Sequence, residues 1–317
     1  MNHLAAKRKL WFSISAILLV PCIISLIFTG LKLGIDFTGG SAWQIQFDRS
    51  VDTEKISQVM TDNGFSDVKV QEIGDKSAHQ YMIRTSEIQE GSAEKKKLET
   101  DLTKLGTLNP KGESLETVGA SVGKSIQNRA VLAVAAASVG ILLYIAYAFR
   151  NTQNPFLYGS AAIVAMLHDA IFVLGVFSIA GWLFDVEVDS LFITALLTII
   201  GFSVHDTIVV FDRIRENLAN KVSSQFEEVV NYSIAQTIVR SVNTSMTVLI
   251  TLLALYLFGG ASTKDFVFAL LIGVAAGTYS SIFNASQVLV AWEYHEIQDA
   301  FNRIFRRGRT PRPRPAS

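Results

Sequence analysis

The sequence predicts a polytopic α-helical membrane protein with six transmembrane helices and one external α+β domain of ferredoxin-like order. Three observations carry that prediction. Half of the 317 residues are hydrophobic and only 18% are charged, against about 25% in an ordinary globular chain. Six apolar stretches approach or exceed the roughly 20 residues needed to cross a bilayer. The polar insertion between the first two alternates in hydrophobicity as short strands and helices do.

The first stretch covers 10–29 and follows Lys7, Arg8 and Lys9. A basic start before an apolar run suggests a signal peptide, but the run is too long and no small-x-small cleavage pattern follows. It is read as an uncleaved anchor. The other five cover 125–149, 156–181, 191–211, 241–258 and 266–292. Basic residues gather at 7–9, at Arg150, at Arg213, Arg215, Lys221 and Arg240, and at 303–314. The alternate connections are acidic (Asp185, Glu187, Asp189) or neutral (Lys264 with Asp265). Positive charge marks the cytoplasmic side, so both termini are expected inside. The predicted order is a cytoplasmic N-terminus at 1–9, helix 1 at 10–29, an external domain at 30–124, and helices 2–6 across 125–292. A cytoplasmic amphipathic segment is expected at about 213–240. A basic tail at 293–317, broken by Pro311, Pro313 and Pro315, is expected to be disordered beside anionic lipid heads.

Within the external domain, 41–47 alternates as a strand with Trp43, Ile45 and Phe47 on one face. The stretch 52–63 is a helix with Ile56, Val59 and Met60 on its apolar side, stopped by Gly64. Two short strands follow at 68–73 and 80–85, separated by a Gly74-Asp75 turn. A charged helix at 93–105 closes at Gly106, and 115–118 supplies the last strand. This β-α-β-β-α-β order is that of the split ferredoxin-like unit.

Composition excludes several chemistries. One cysteine, Cys22, leaves no internal disulfide, and five scattered histidines predict no metal site. No Walker-type loop is present, so ATP hydrolysis is not expected; neither an enzyme nor a cofactor is predicted.

The informative residues are those that cost energy in a bilayer, where a central carboxylate costs about 2.5–3.5 kcal/mol on insertion scales. Asp206 falls inside the fourth span beside His205, and the third holds His168-Asp169 near its middle. Asp212 and Arg213 fall at the end of the fourth span, within reach of water. Helical spacing places Thr194, Thr198, Gly201 and His205 on one face of the fourth span. Arg240, Thr244, Thr247 and Thr251 share a face of the fifth, and Gly273, Gly277, Ser280 and Asn284 one of the sixth. Such stripes face one another, a watery path or a partner. Asp206 is expected to alternate between a neutral state and pairing with Arg240, with His205, His168 and Asp169 as further candidates for proton coupling. Two intramembrane acids also raise an aspartyl protease, but the Gly-x-Gly-Asp context is missing at both.

Three runs resemble the SecF family of the bacterial Sec protein-export machinery. They are Gly34-Ile35-Asp36-Phe37-Thr38-Gly39-Gly40, the stretch His205-Asp206-Thr207 through Asp212-Arg213-Ile214-Arg215-Glu216-Asn217, and Arg240-Ser241-Val242-Asn243-Thr244-Ser245. The resemblance marks Asp36, Gly39, Gly40, Asp212 and Arg213 as motif residues. It places the family's membrane acid on Asp206 and its membrane arginine on Arg240, while His205 stands where many relatives carry Asn. It implies half of an RND-type transporter, completed by SecD. It also implies use of the proton motive force to help a polypeptide leave the SecYEG channel after, or alongside, the ATP-driven push by SecA. Membrane lipids are expected partners and nucleic acid is not. An RND-like exporter of lipids or small molecules and a purely structural scaffold are the alternatives.

Overall fold

A computed structural model describes residues 7–65, 67–73, 76–150, 152, 154–260 and 263–294. The chain divides into two compact units: a sheet domain of residues 33–132 with 187–190, and a helical bundle holding the rest.

The sheet domain contains a short helical turn α2 (Ile35–Thr38), then β1 (Gly40–Gln46), α3 (Thr53–Asp62), β2 (Lys69–Ile73), β3 (Gln80–Thr85), α4 (Ala93–Thr103) and β4 (Ser114–Val118). The strands lie in the order β2-β3-β1-β4, all antiparallel, as the ferredoxin-like order requires. Trp43 stands opposite both Ile83 and Leu115, so the period-2 alternation sends one face of the sheet into the core. Ile56 and Met60 of α3 and Leu98 and Leu102 of α4 cover that face. Each helix starts at a side-chain cap, where Asp52 accepts from the Glu54 N–H and Ser92 from the Lys95 N–H. Such caps are worth about 1 kcal/mol each.

Lys95 is a buried cation that the sequence shows only as one of a charged run. Its Nζ lies 2.7 Å from Glu90, 2.9 Å from Glu113 and 3.4 Å from Glu99, and over the Trp43 ring. Burial alone disfavours its charge, but hydrogen bonds to Glu113 and Glu90 outweigh that and hold its pKa above the usual lysine value. The Gly74-Asp75 turn lies outside the described residues.

The bundle contains α1 (Arg8–Phe28), the greater part of α5 (Ala120–Ala148), α6 (Pro155–Phe184), α7 (Ser190–Ala219), α8 (Phe226–Phe258), and a last span made of α9 (Lys264–Tyr279), a π-helical turn (Ser280–Ala285) and α10 (Ser286–Glu293). Among the described residues, six helices are thus long and apolar enough to cross a membrane. About half of α6, of α7 and of the last span is buried, whereas α1, α5 and α8 expose most of their apolar surface. The inner three therefore build the core, and the outer three face lipid or another chain.

The stretch at 213–240 is the one expected from the sequence to be an amphipathic segment. It forms the ends of two long helices, α7 running to Ala219 and α8 starting at Phe226. Buried Asn217 donates to Ser233 at 2.8 Å and to Gln236 at 3.1 Å, fastening α7 to α8. The charges at the end of the fourth span pair along the helix, Asp212 with Arg215 and Arg213 with Glu216.

Glycine sets how closely α1 and α6 approach. A Cβ on Gly175 would stand 2.1 Å from the Cβ of buried Cys22. Gly175→Ala is expected to push α1 off α6, costing about 1–3 kcal/mol. Maleimide labelling of Cys22 in native membranes should speed up accordingly. An unchanged rate would count against this crossing.

Candidate functional site

The bundle buries two carboxylates in different ways. Asp169, on α6, is 0% exposed. Its Oδ2 accepts from Ser203 Oγ of α7 at 2.5 Å and from Ser280 Oγ of the π turn at 2.6 Å, and its Oδ1 lies 3.0 Å from His168 Nδ1. One carboxylate therefore ties the three inner spans together. Ser281, next in chain, donates to the Ser203 carbonyl at 2.7 Å and accepts from Thr207 at 3.0 Å. The wider π turn is what lets adjacent Ser280 and Ser281 both engage α6 and α7. On the other side, Asn284 and Tyr279 hold Ser15 of α1.

Asp206, on α7, is 3% exposed but far less satisfied. Its Oδ2 has no hydrogen-bond partner among the described residues, and its polar surroundings are His205, the Ser245 side chain and Arg240. Ser245 in turn accepts from Thr278 at 2.6 Å. The expected Asp206–Arg240 pair is not formed in this conformation: Arg240 is exposed on α8 and acts on the acid through its field alone. His205 lies outside the buried network. It shares an exposed stripe with Thr194, Thr198 and Gly201, while Asp206 beside it turns inward.

The three stripes divide accordingly. That of the last span is internal, Gly273 packing on Ile199 and Gly277 on Ser203. Those of α7 and α8 are exposed, including Thr244, Thr247 and Thr251. A shallow groove lined by Ala133, Ala137 and Gly140 of α5 and Gly201 of α7 adjoins the first of these. Sequence reasoning placed Ser280 on an inner stripe but missed Ser203, Ser281 and Ser245, since an isolated serine in a span carries no periodic signal. Asp212 and Arg213 form exposed i,i+3 pairs away from both acids.

The sheet domain holds the other motif. Gly39 and Gly40 have φ of +76° and +115°, and a Cβ on Gly40 would stand 2.6 Å from the Thr85 carbonyl oxygen. That turn presents Asp36, whose Oδ2 accepts from the Ser190 N–H at 2.8 Å and from Ser190 Oγ at 2.5 Å. The Gly34 N–H donates to the Val188 carbonyl at 2.8 Å, and Arg84 pairs with Glu187 at 2.9 Å. The domain thereby clasps residues 187–190, the connection between α6 and α7. Asp36→Ala is expected to speed hydrogen exchange at the Ser190 amide about tenfold or more, the scale of a lost charge-assisted bond. Unchanged exchange would show the clasp to be loose.

Six apolar spans, a ferredoxin-like domain between the first two, and acids buried among the inner helices define one half of an RND-type membrane protein. The family model of the SecD/SecF export membrane protein C-terminal region matches residues 97–295, and that of the SecD/SecF GG motif matches residues 24–51. The chain belongs to the SecF family of protein translocase subunits. It is 51% identical to the subunit SecF of Thermobaculum terrenum over 97% of this chain and 98% of that one. It is 36% identical to the subunit SecDF of Bacillus subtilis over 92% of this chain and 38% of that one. The crystal structure of SecDF from Thermus thermophilus, described as a translocon-associated membrane protein, matches with a TM-score of 0.78 at 32% identity, over 92% of this chain and 38% of that one. The chain thus spans about two-fifths of the SecDF relatives.

Proposed function

We propose that this chain pairs with a SecD half and uses the proton motive force to promote late steps of polypeptide export through SecYEG. The observation that carries the reading is Asp206, a buried carboxylate with one oxygen that no described residue satisfies, within the field of an arginine to which no ion pair joins it. A neutral acid tolerates that setting, and an ionised one draws Arg240 toward it. Proton arrival and release then shift α7 against α8. The N-terminal end of α7 continues from the clasped residues 187–190, which gives the shift a covalent route to the sheet domain on the outer side of the membrane. Asp169, which accepts from Ser203 and Ser280, is the post against which α7 moves, and His168 orients it.

The fused SecDF relatives support a SecD partner, and the exposed polar stripes of α7 and α8 supply the seam it would cover. Both termini are assigned to the cytoplasm of a bacterial inner membrane on the charge asymmetry. The translocating polypeptide, SecYEG and, indirectly, SecA are the remaining partners, and the chain is assigned no catalytic role.

The test is export of a preloaded precursor in inverted membrane vesicles after ATP is exhausted, with and without this chain and its partner. The chain-dependent fraction should disappear on adding a protonophore. A chain-dependent gain that survives the protonophore would leave a scaffold role instead.

A further inference from the structure

The end of α7 borders a cavity. Between the start of α6, the end of α7, the Ser223-Ser224 connection and the end of α10 lies a space of about 440 Å³. Its walls carry Arg215 and Glu293, two opposite charges that no ion pair joins among the described residues. Arg215 already bonds Asp212 at 2.5 Å and the Ala148 carbonyl at 3.4 Å, and lies over the Phe149 ring. A guanidinium has five N–H donors, so capacity remains.

Tyr158 stands on the wall between them. It is 4% exposed, its ring stacks on Phe149 at 5.0 Å and meets Phe211 edge-on at 5.4 Å, so its hydroxyl is fixed in place. That hydroxyl makes no hydrogen bond among the described residues, while Arg215 and Glu293 both act on it electrostatically. The phenol therefore offers the cavity a donor in a fixed position. Asn154 leaves the N-terminus of the 30-residue α6 without a side-chain cap at the same cavity, which further favours a negative group.

The cavity also has an apolar exit. A more open groove shares Asn154, Leu157 and Glu293 with it and is walled by Phe156, 74% exposed, and Trp292, 38% exposed. Aromatic side chains in that position are typical of the membrane–water boundary. The space is therefore zwitterionic within and aromatic toward the bilayer.

We propose that this cavity binds the phosphoethanolamine head of a phospholipid. The phosphate accepts from Arg215 and Tyr158, the primary ammonium donates to Glu293, and the acyl chains leave past Phe156 and Trp292. An anionic head without an amine would place negative charge against Glu293, and a trimethylated amine cannot donate to it.

Native mass spectrometry of the full chain, exchanged into nanodiscs of phosphatidylethanolamine mixed with phosphatidylglycerol or phosphatidylcholine, tests this. One phosphatidylethanolamine should be retained in preference to the others by about tenfold, the scale of a charge-assisted hydrogen bond. Glu293→Gln should abolish the preference over phosphatidylglycerol while lipid is still retained. Tyr158→Phe, which keeps the ring stack, and Arg215→Gln should each weaken retention of any phospholipid. Equal retention of all three lipids, or a preference unchanged in Glu293→Gln, overturns the proposal. Stabilisation by free O-phosphoethanolamine without lipid selectivity also overturns it, in favour of a soluble ligand.

Discussion

Cells whose sole copy of this chain carries Asp206→Asn are expected to lose the part of precursor export that depends on the proton motive force, with the chain and its partner at normal abundance. Asn has the size and polarity of the acid but cannot take up or release a proton. The site tolerates that exchange structurally, because among the described residues one carboxylate oxygen already lacks a partner and no ion pair is broken. One proton crossing 100 mV yields about 2.3 kcal/mol, a bias of several tens-fold between two conformations at about 1.4 kcal/mol per factor of ten. Losing it should remove most of the drive. Export from vesicles energised by a pH gradient alone is the measurement. An Asp206→Asn variant that still responds fully to the gradient would rule this acid out as the coupling group.

Asp169→Ala is expected to fail in the opposite manner, through stability. It removes the one acceptor shared by Ser203, Ser280 and His168, each on or beside a different contact between inner spans. Hydrogen bonds to a charged group are worth about 1.5–3 kcal/mol each. Part of that returns when the freed hydroxyls turn toward backbone carbonyls, as Ser280 already lies 3.3 Å from that of Gly277. A net loss of about 3 kcal/mol is expected, read as a lower denaturation midpoint in detergent and reduced accumulation in membranes. Ser203→Ala and Ser280→Ala should each show a smaller part of it, and their effects should not add in Asp169→Ala. If Asp169→Ala accumulates and melts like the parent yet exports nothing, Asp169 belongs with Asp206 as a proton carrier and the division between post and switch is wrong.

The two variants together separate work from support. Similar residues in neighbouring spans are expected to give one loss of coupling at normal abundance and one loss of abundance. The difference lies in what surrounds them. Asp169 meets Ser203 of α7, Ser280 of the π turn and the ring of His168 beside it, while Asp206 meets a serine, an exposed histidine on its own helix and the field of an arginine.

What the sequence determined by itself is whatever depends on period and composition. Six spans, the β-α-β-β-α-β order and the alternation of Trp43 and Ile45 are all written in hydrophobic periodicity, which is local and survives without knowledge of neighbours. The acids were legible as well, because a carboxylate in an apolar run is expensive wherever it points. Tertiary structure decided the rest. How the ends of α7 and α8 within 213–240 are fastened depended on Asn217 reaching Ser233 across the turn. Which stripe is buried depended on Gly273 meeting Ile199, and which acid is satisfied on Ser203 and Ser280 arriving from other helices. Those outcomes are fixed by contacts between residues far apart in the chain, and a serine contributes the same to the local pattern whether it faces a carboxylate or lipid.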